Sequence, residues 1–198
     1  MAEHPISLDK AKELLSGDLG EVYRRILADC CVPIYWFRLD TRDFAITHNG
    51  TLTIVQTPKK LLGITAAHVL HQYQTDSKAG PLRLQLMNEV VDDFFDRVID
   101  VSDALDLATF AMEEELVKRL NRTPLSVWPP RPPQEGKGIM IAGYPGVERI
   151  ESKDFTVNFG LFTVGTVNLL GPGRNLSQPK CNIVFMPHFG HSLPRSIL

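Results

Sequence analysis

Cysteine is scarce in this chain, and where it occurs it is badly placed for cross-linking. Of 198 residues only Cys30, Cys31 and Cys181 are cysteines. Two are adjacent, and an odd count does not make a disulfide framework. That usage implies a reducing, cytoplasmic setting. No apolar run approaches the length of a membrane span. Met1 to Leu15 lacks a basic start followed by an apolar core, so no signal peptide is expected. Net charge is only −2, which gives no reason to expect nucleic acid or an anionic membrane as partner. No phosphate-binding glycine loop is present, and Gly171-x-Gly173 alone does not make a dinucleotide site. The acidic run Asp92, Asp93, Asp96, Asp100 and Asp103 lacks the spacing and glycine of a calcium loop, so it reads as a solvated face. His68-x-x-His71 and His188-x-x-His191 could suggest a four-histidine metal site, but the first pair lacks the acidic partner of zinc motifs and His71 reads as a surface residue. No metal and no cofactor are expected.

What is present suits one domain or one two-lobed domain. The hydrophobic fraction of 43% allows a substantial core. Residues 8 to 28 carry apolar side chains at helical spacing, with Ser7 or Asp9 as a cap and Gly17 and Gly20 as interruptions. From Val32 the texture turns to strands. Val32 to Phe37 reads as one, with Pro33 suggesting an edge or a strand start. Phe44 to Asn49 reads as another, and Asn49-Gly50 as a hairpin turn. Thr51 to Thr57 alternates and is β-branched. Pro58 to Lys60 turns the chain into a strand at Leu61 to Ala66. Residues 72 to 81 read as a polar loop, Leu82 to Leu86 as a strand and Glu113 to Asn121 as a short helix. Thr123 to Gly138 holds five prolines and reads as an extended linker. A strand from Gly138 then enters the turn Gly143-Tyr144-Pro145-Gly146, and Phe155 to Leu170 is again β-rich.

Two stretches carry chemistry. In Leu61 to Leu70 an apolar run ends in Thr65-Ala66-Ala67-His68-Val69, delivering a histidine at the end of a rigid element, a setting suited to a general base. The plainer alternative is a strand-end histidine with no chemistry. In Asp106 to Ala111 an aspartate directly precedes an alternating strand, where aspartate is disfavoured unless its carboxylate is needed. The plainer alternative there is a carboxylate binding a backbone N–H.

Together with Gly143-Tyr144-Pro145, these stretches resemble the trypsin-like serine peptidases of bacterial type. The resemblance covers about residues 50 to 168. It implies a mainly β fold: a double β-barrel behind an N-terminal helical segment, with the second barrel incomplete. The implied divisions are a helical segment at 1–31, a first barrel lobe at 32–120, a linker at 121–137 and a partial second lobe at 138–198. It also implies peptide-bond hydrolysis, with a peptide or protein as substrate, His68 as base and Asp106 as its orienter. The family's G-x-S-G-[G/S]-P motif is absent. Its nearest counterpart is Gly190-His191-Ser192-Leu193-Pro194, which makes Ser192 the candidate nucleophile and Gly190 a candidate oxyanion donor. Only six residues follow Ser192, which suggests a truncated or altered form. The alternative reading is a non-catalytic module, degenerate or fragmentary, that binds a peptide or a partner.

Overall fold

The computed structural model describes residues 7–40, 46–126, 129, 138–151, 156–167, 182–185 and 189–194. The expected start of a strand at Phe44, most of the proline-rich linker and the loops at 171–180 lie outside them, as do Cys181, His188 and the last four residues.

The chain begins with two helices divided at Gly17, while Gly20, also expected to interrupt, lies inside the second. The first (α1, Leu8–Ser16) is capped by Ser7, whose hydroxyl accepts the Lys10 N–H at 3.3 Å. Gly17 ends it and opens the second (α2, Asp18–Cys30). The two pack so closely that a Cβ on Gly20 would collide with the Leu15 backbone.

The larger sheet follows. Its strands are β1 (Cys31–Arg38), β2 (Ile46–Gln56), β3 (Leu61–Thr65), β4 (Leu82–Leu86), β5 (Glu89–Val90), β6 (Val98–Ser102) and β7 (Leu107–Ala111). Helix α3 (Ala67–Ala79) follows β3, a 3-10 turn at Phe95–Arg97 precedes β6, and helix α4 (Glu114–Arg119) follows β7. The order is β5-β4-β1-β2-β3-β7-β6. Strand β1 is buried along Cys31 to Phe37 because both of its faces are covered. Tyr35 packs on Phe159, ring centroids 4.9 Å apart, while Trp36 on the opposite face meets Tyr73 of α3 at 5.3 Å. The second sheet is built around β10 (Thr156–Val167). It is flanked by β8 (Gly138–Gly143), β9 (Arg149–Glu151), β11 (Asn182–Phe185) and β12 (Phe189–Pro194), each antiparallel to it.

Among the described residues neither sheet closes, and this corrects the expected double barrel and the resemblance that implied it. A barrel abolishes sheet edges by pairing its first strand with its last. Here the terminal strands β5 and β6 pair only with β4 and β7. Strand β5 has two residues, and β6, at the opposite end of the sheet, runs in unbroken register with β7 from Asp100 to Ser102 after a shift between Val98 and Asp100. With helices set between the strands, the architecture is mixed α/β with two open sheets, not mainly β.

Three local expectations also change. Pro33 sits inside a central strand rather than at an edge. Its carbonyl accepts the Met87 N–H at 3.0 Å, just beyond the last β1–β4 register pair, so its missing N–H falls where that ladder ends. Asn49-Gly50 is not a turn but lies within β2, opposite Tyr35 and Ile34. A Cβ on Gly50 would meet Val69 Cγ2 at 2.8 Å, so this glycine admits helix α3. Residues 72 to 79, expected as loop, continue α3, whose Val69, Leu70 and Tyr73 are buried.

Candidate functional site

His68 is the second residue of α3, one turn past the end of β3. The N-terminus of this helix starts on Ala66, which has no side chain able to cap it. Four N–H groups at any helix start need outside partners. Asp106 meets part of that need from another element. It lies in the turn between β6 and β7 with φ of 50°, its N–H bonded to the Asp103 carbonyl at 3.2 Å. The β3–β7 pairing, Thr65 opposite Ala108, brings that turn to the start of α3. Asp106 Oδ1 accepts the His68 backbone N–H at 3.0 Å, and Oδ2 bonds the ring Nδ1 at 2.8 Å. Both uses considered for this aspartate, histidine orienter and backbone acceptor, are served by one carboxylate.

The electrostatics agree with that geometry. The His68 backbone N–H, then its ring, hold the Asp106 carboxyl below its ordinary range. An ionised carboxylate can only accept, so Nδ1 donates. The pair is open to water, with side-chain exposure of 73% for His68 and 54% for Asp106.

One turn along, His71 Nε2 stands 3.5 Å from Asp103 Oδ1, both also exposed. The result is a row of two histidine–carboxylate pairs. The sequence signal for the second pair is the matched spacing, His68 and His71 on one segment, Asp103 and Asp106 on the other. Weighing His71 only as a metal candidate missed it.

A second polar cluster lies further along α3. Asp76 accepts from Trp36 Nε1 at 2.8 Å, His48 Nδ1 at 2.7 Å and Gln72 Nε2 at 2.9 Å. Burial alone would raise this carboxyl, but the three donors outweigh it and hold it below its ordinary value. No local sequence signal marks this cluster, since its members come from β1, β2 and α3.

Ser192 and Gly190 lie in β12, in register with Asn158 and Gly160 of β10. In extended backbone, N–H groups two residues apart run parallel and roughly 6.5–7 Å apart. An oxyanion hole needs both donors within about 3 Å of one oxygen. Among the side chains described, His68 bonds to Asp106 and to no serine or cysteine. With no barrel and no triad-like cluster among the described residues, the expected peptidase activity is corrected. Among the described residues, no group of three or more His, Cys, Asp or Glu is arranged to hold a metal ion. No helix among them is long and apolar enough to cross a membrane.

Comparison with protein-family models finds no match, and neither does a search of curated proteins.

Proposed function

We propose that this chain is a non-catalytic module that binds a peptide or protein partner through the face carrying His68 and Asp106. The observation behind this reading is the exposed row of two histidine–carboxylate pairs beside apolar side chains that are also left in water. Leu105 is 71% exposed and Leu107 43%, and they flank Asp106 in sequence. Hydrolysis needs a nucleophile and converging donors in a water-excluded site. This face supplies instead two exposed imidazole rings, two carboxylates and apolar surface, which are the parts of a recognition surface.

The test is fluorescence anisotropy against a panel of labelled peptides spanning basic, acidic and apolar compositions. One class is expected to bind, and His68→Ala with Leu105→Ser is expected to weaken it at least tenfold without unfolding the protein. A flat response across the panel would sink the reading. So would labelling by a serine-reactive fluorophosphonate that disappears in His68→Ala, because that would reveal an activated hydroxyl.

A further inference from the structure

Among the described residues, strand β6 is a terminal strand of the larger sheet and pairs with β7 alone. Its Val98 and Val101 pack against the core, while Ile99 is 45% exposed and Asp100 is also exposed. Phe95 just before it and Leu105 and Leu107 just after are exposed as well. An edge of this kind offers unpaired N–H and C=O groups to another extended chain.

The charge around this edge is one-sided. From Asp92 to Asp106, the stretch that leads into, forms and leaves β6, the sequence holds six acidic residues and a single basic one, Arg97. Arg97 is itself engaged, with Asp93 at 2.7 Å and Glu113 at 3.1 Å. Asp96, Asp100, Asp103 and Asp106 are all exposed along the 3-10 turn, the strand and the turn that follows. The chain as a whole is nearly neutral at −2, so this face is locally far more acidic than the molecule. Acidic side chains on an edge repel a second copy of the same edge. They attract a strand of opposite charge.

We propose that β6 takes up a basic peptide segment as an added strand, the peptide's backbone extending the β6 ladder and its lysines or arginines facing Asp96, Asp100 and Asp103. Alternate small apolar side chains of the peptide rest on Ile99. This rests on the binding-module reading and names its ligand class. Main-chain bonds supply affinity in such a mode and side-chain pockets supply selectivity.

The probe is a labelled decapeptide alternating lysine with valine and threonine. It is compared with the same peptide carrying glutamate for lysine and with a copy N-methylated at every backbone amide. The lysine peptide is expected to bind, to weaken steeply with added salt, and to slow hydrogen exchange at the β6 amides. The glutamate and N-methylated peptides are expected to bind at least tenfold more weakly. Equal affinity of the N-methylated peptide would overturn strand addition while leaving a binding module in place. Equal or better binding of the glutamate peptide would overturn the basic preference in the same way. Silence from every peptide class would remove the module reading itself, and this inference with it.

Discussion

Asp76 and Asp106 show how one carboxylate can hold several elements at once. Asp106 ties the β6–β7 turn to the first turn of α3. Asp76 ties the C-terminal half of α3 to Trp36 on β1 and His48 on β2. The lowered Asp76 pKa has a definite consequence. The unfolded chain takes up this proton before the folded one does, so the stabilisation is fully present above the unfolded value near 4. It is lost as pH falls through the lower, folded value. Asp76→Asn is expected to cost about 1–3 kcal/mol at neutral pH and to flatten the acid limb of the stability curve, measured by urea unfolding at a series of pH values. An unchanged acid limb would show that Asp76 is not the group responsible. The residue scale also shows where local sequence is legible. An aspartate ahead of a strand announced a carboxylate with a task. Asp76, inside a polar stretch, announced nothing, because its three donors come from distant segments.

At the scale of elements, sequence pattern located most strands and set few of their environments. Strand β4 has the bounds the alternation predicts, Leu82–Leu86. Helix α4 falls within its expected range, and Gly17 breaks the N-terminal helical segment where a glycine should. Helix α3 was read as ending early because its outer face is polar from Gln72 onward. Its length comes from tertiary contacts: Tyr73 buried against Trp36 and Phe94, and Asp76 bonded into the sheet. Asn49-Gly50 misled for a similar reason. Glycine was present not for a turn but to let α3 approach β2. Gly63 makes the same point within the sheet, since a Cβ there would come 2.5 Å from Phe110 Cε2 and 3.2 Å from Leu52 Cδ1. Phe110 is itself almost fully buried and cannot move aside freely. Gly63→Ala is therefore expected to destabilise the protein by about 1–3 kcal/mol through overpacking. Thermal unfolding would check this, and a neutral or stabilising result would mean that the β3–β7 contact is looser than described.

At the scale of the whole molecule, the two sheets meet at a seam centred on Tyr144. Its N–H bonds Thr51 Oγ1 at 2.7 Å and its carbonyl accepts Asn49 Nδ2 at 2.8 Å. Arg149 Nη1 donates to the same asparagine at 2.9 Å, and the Tyr144 ring packs on Phe159. Burial pushes the Tyr144 phenol up to about 12, against an ordinary value of 10. The unfolded chain loses that proton first, so stability declines as pH rises between those values, by up to about 2–3 kcal/mol from this group. Tyr144→Phe is expected to flatten this alkaline decline. Denaturant titrations at pH 9, 10 and 11 would reveal it, and an identical decline in the variant would assign it elsewhere.

Local pattern determined where the chain is helical or extended in most of the described segments. It also pointed to His68 and Asp106 as residues with a purpose, because short-range periodicity and an out-of-place carboxylate are properties of neighbouring residues. Whether the strands close on themselves was decided only in three dimensions. The pairing of β3 with β7 brings Asp106 to His68, and the strand order sets β5 and β6 at opposite ends of the sheet. The extended backbone at Ser192 was decided there too, by its pairing with β10. Strand order and sheet closure depend on contacts between residues far apart in the chain. A motif of four or five residues carries no record of them.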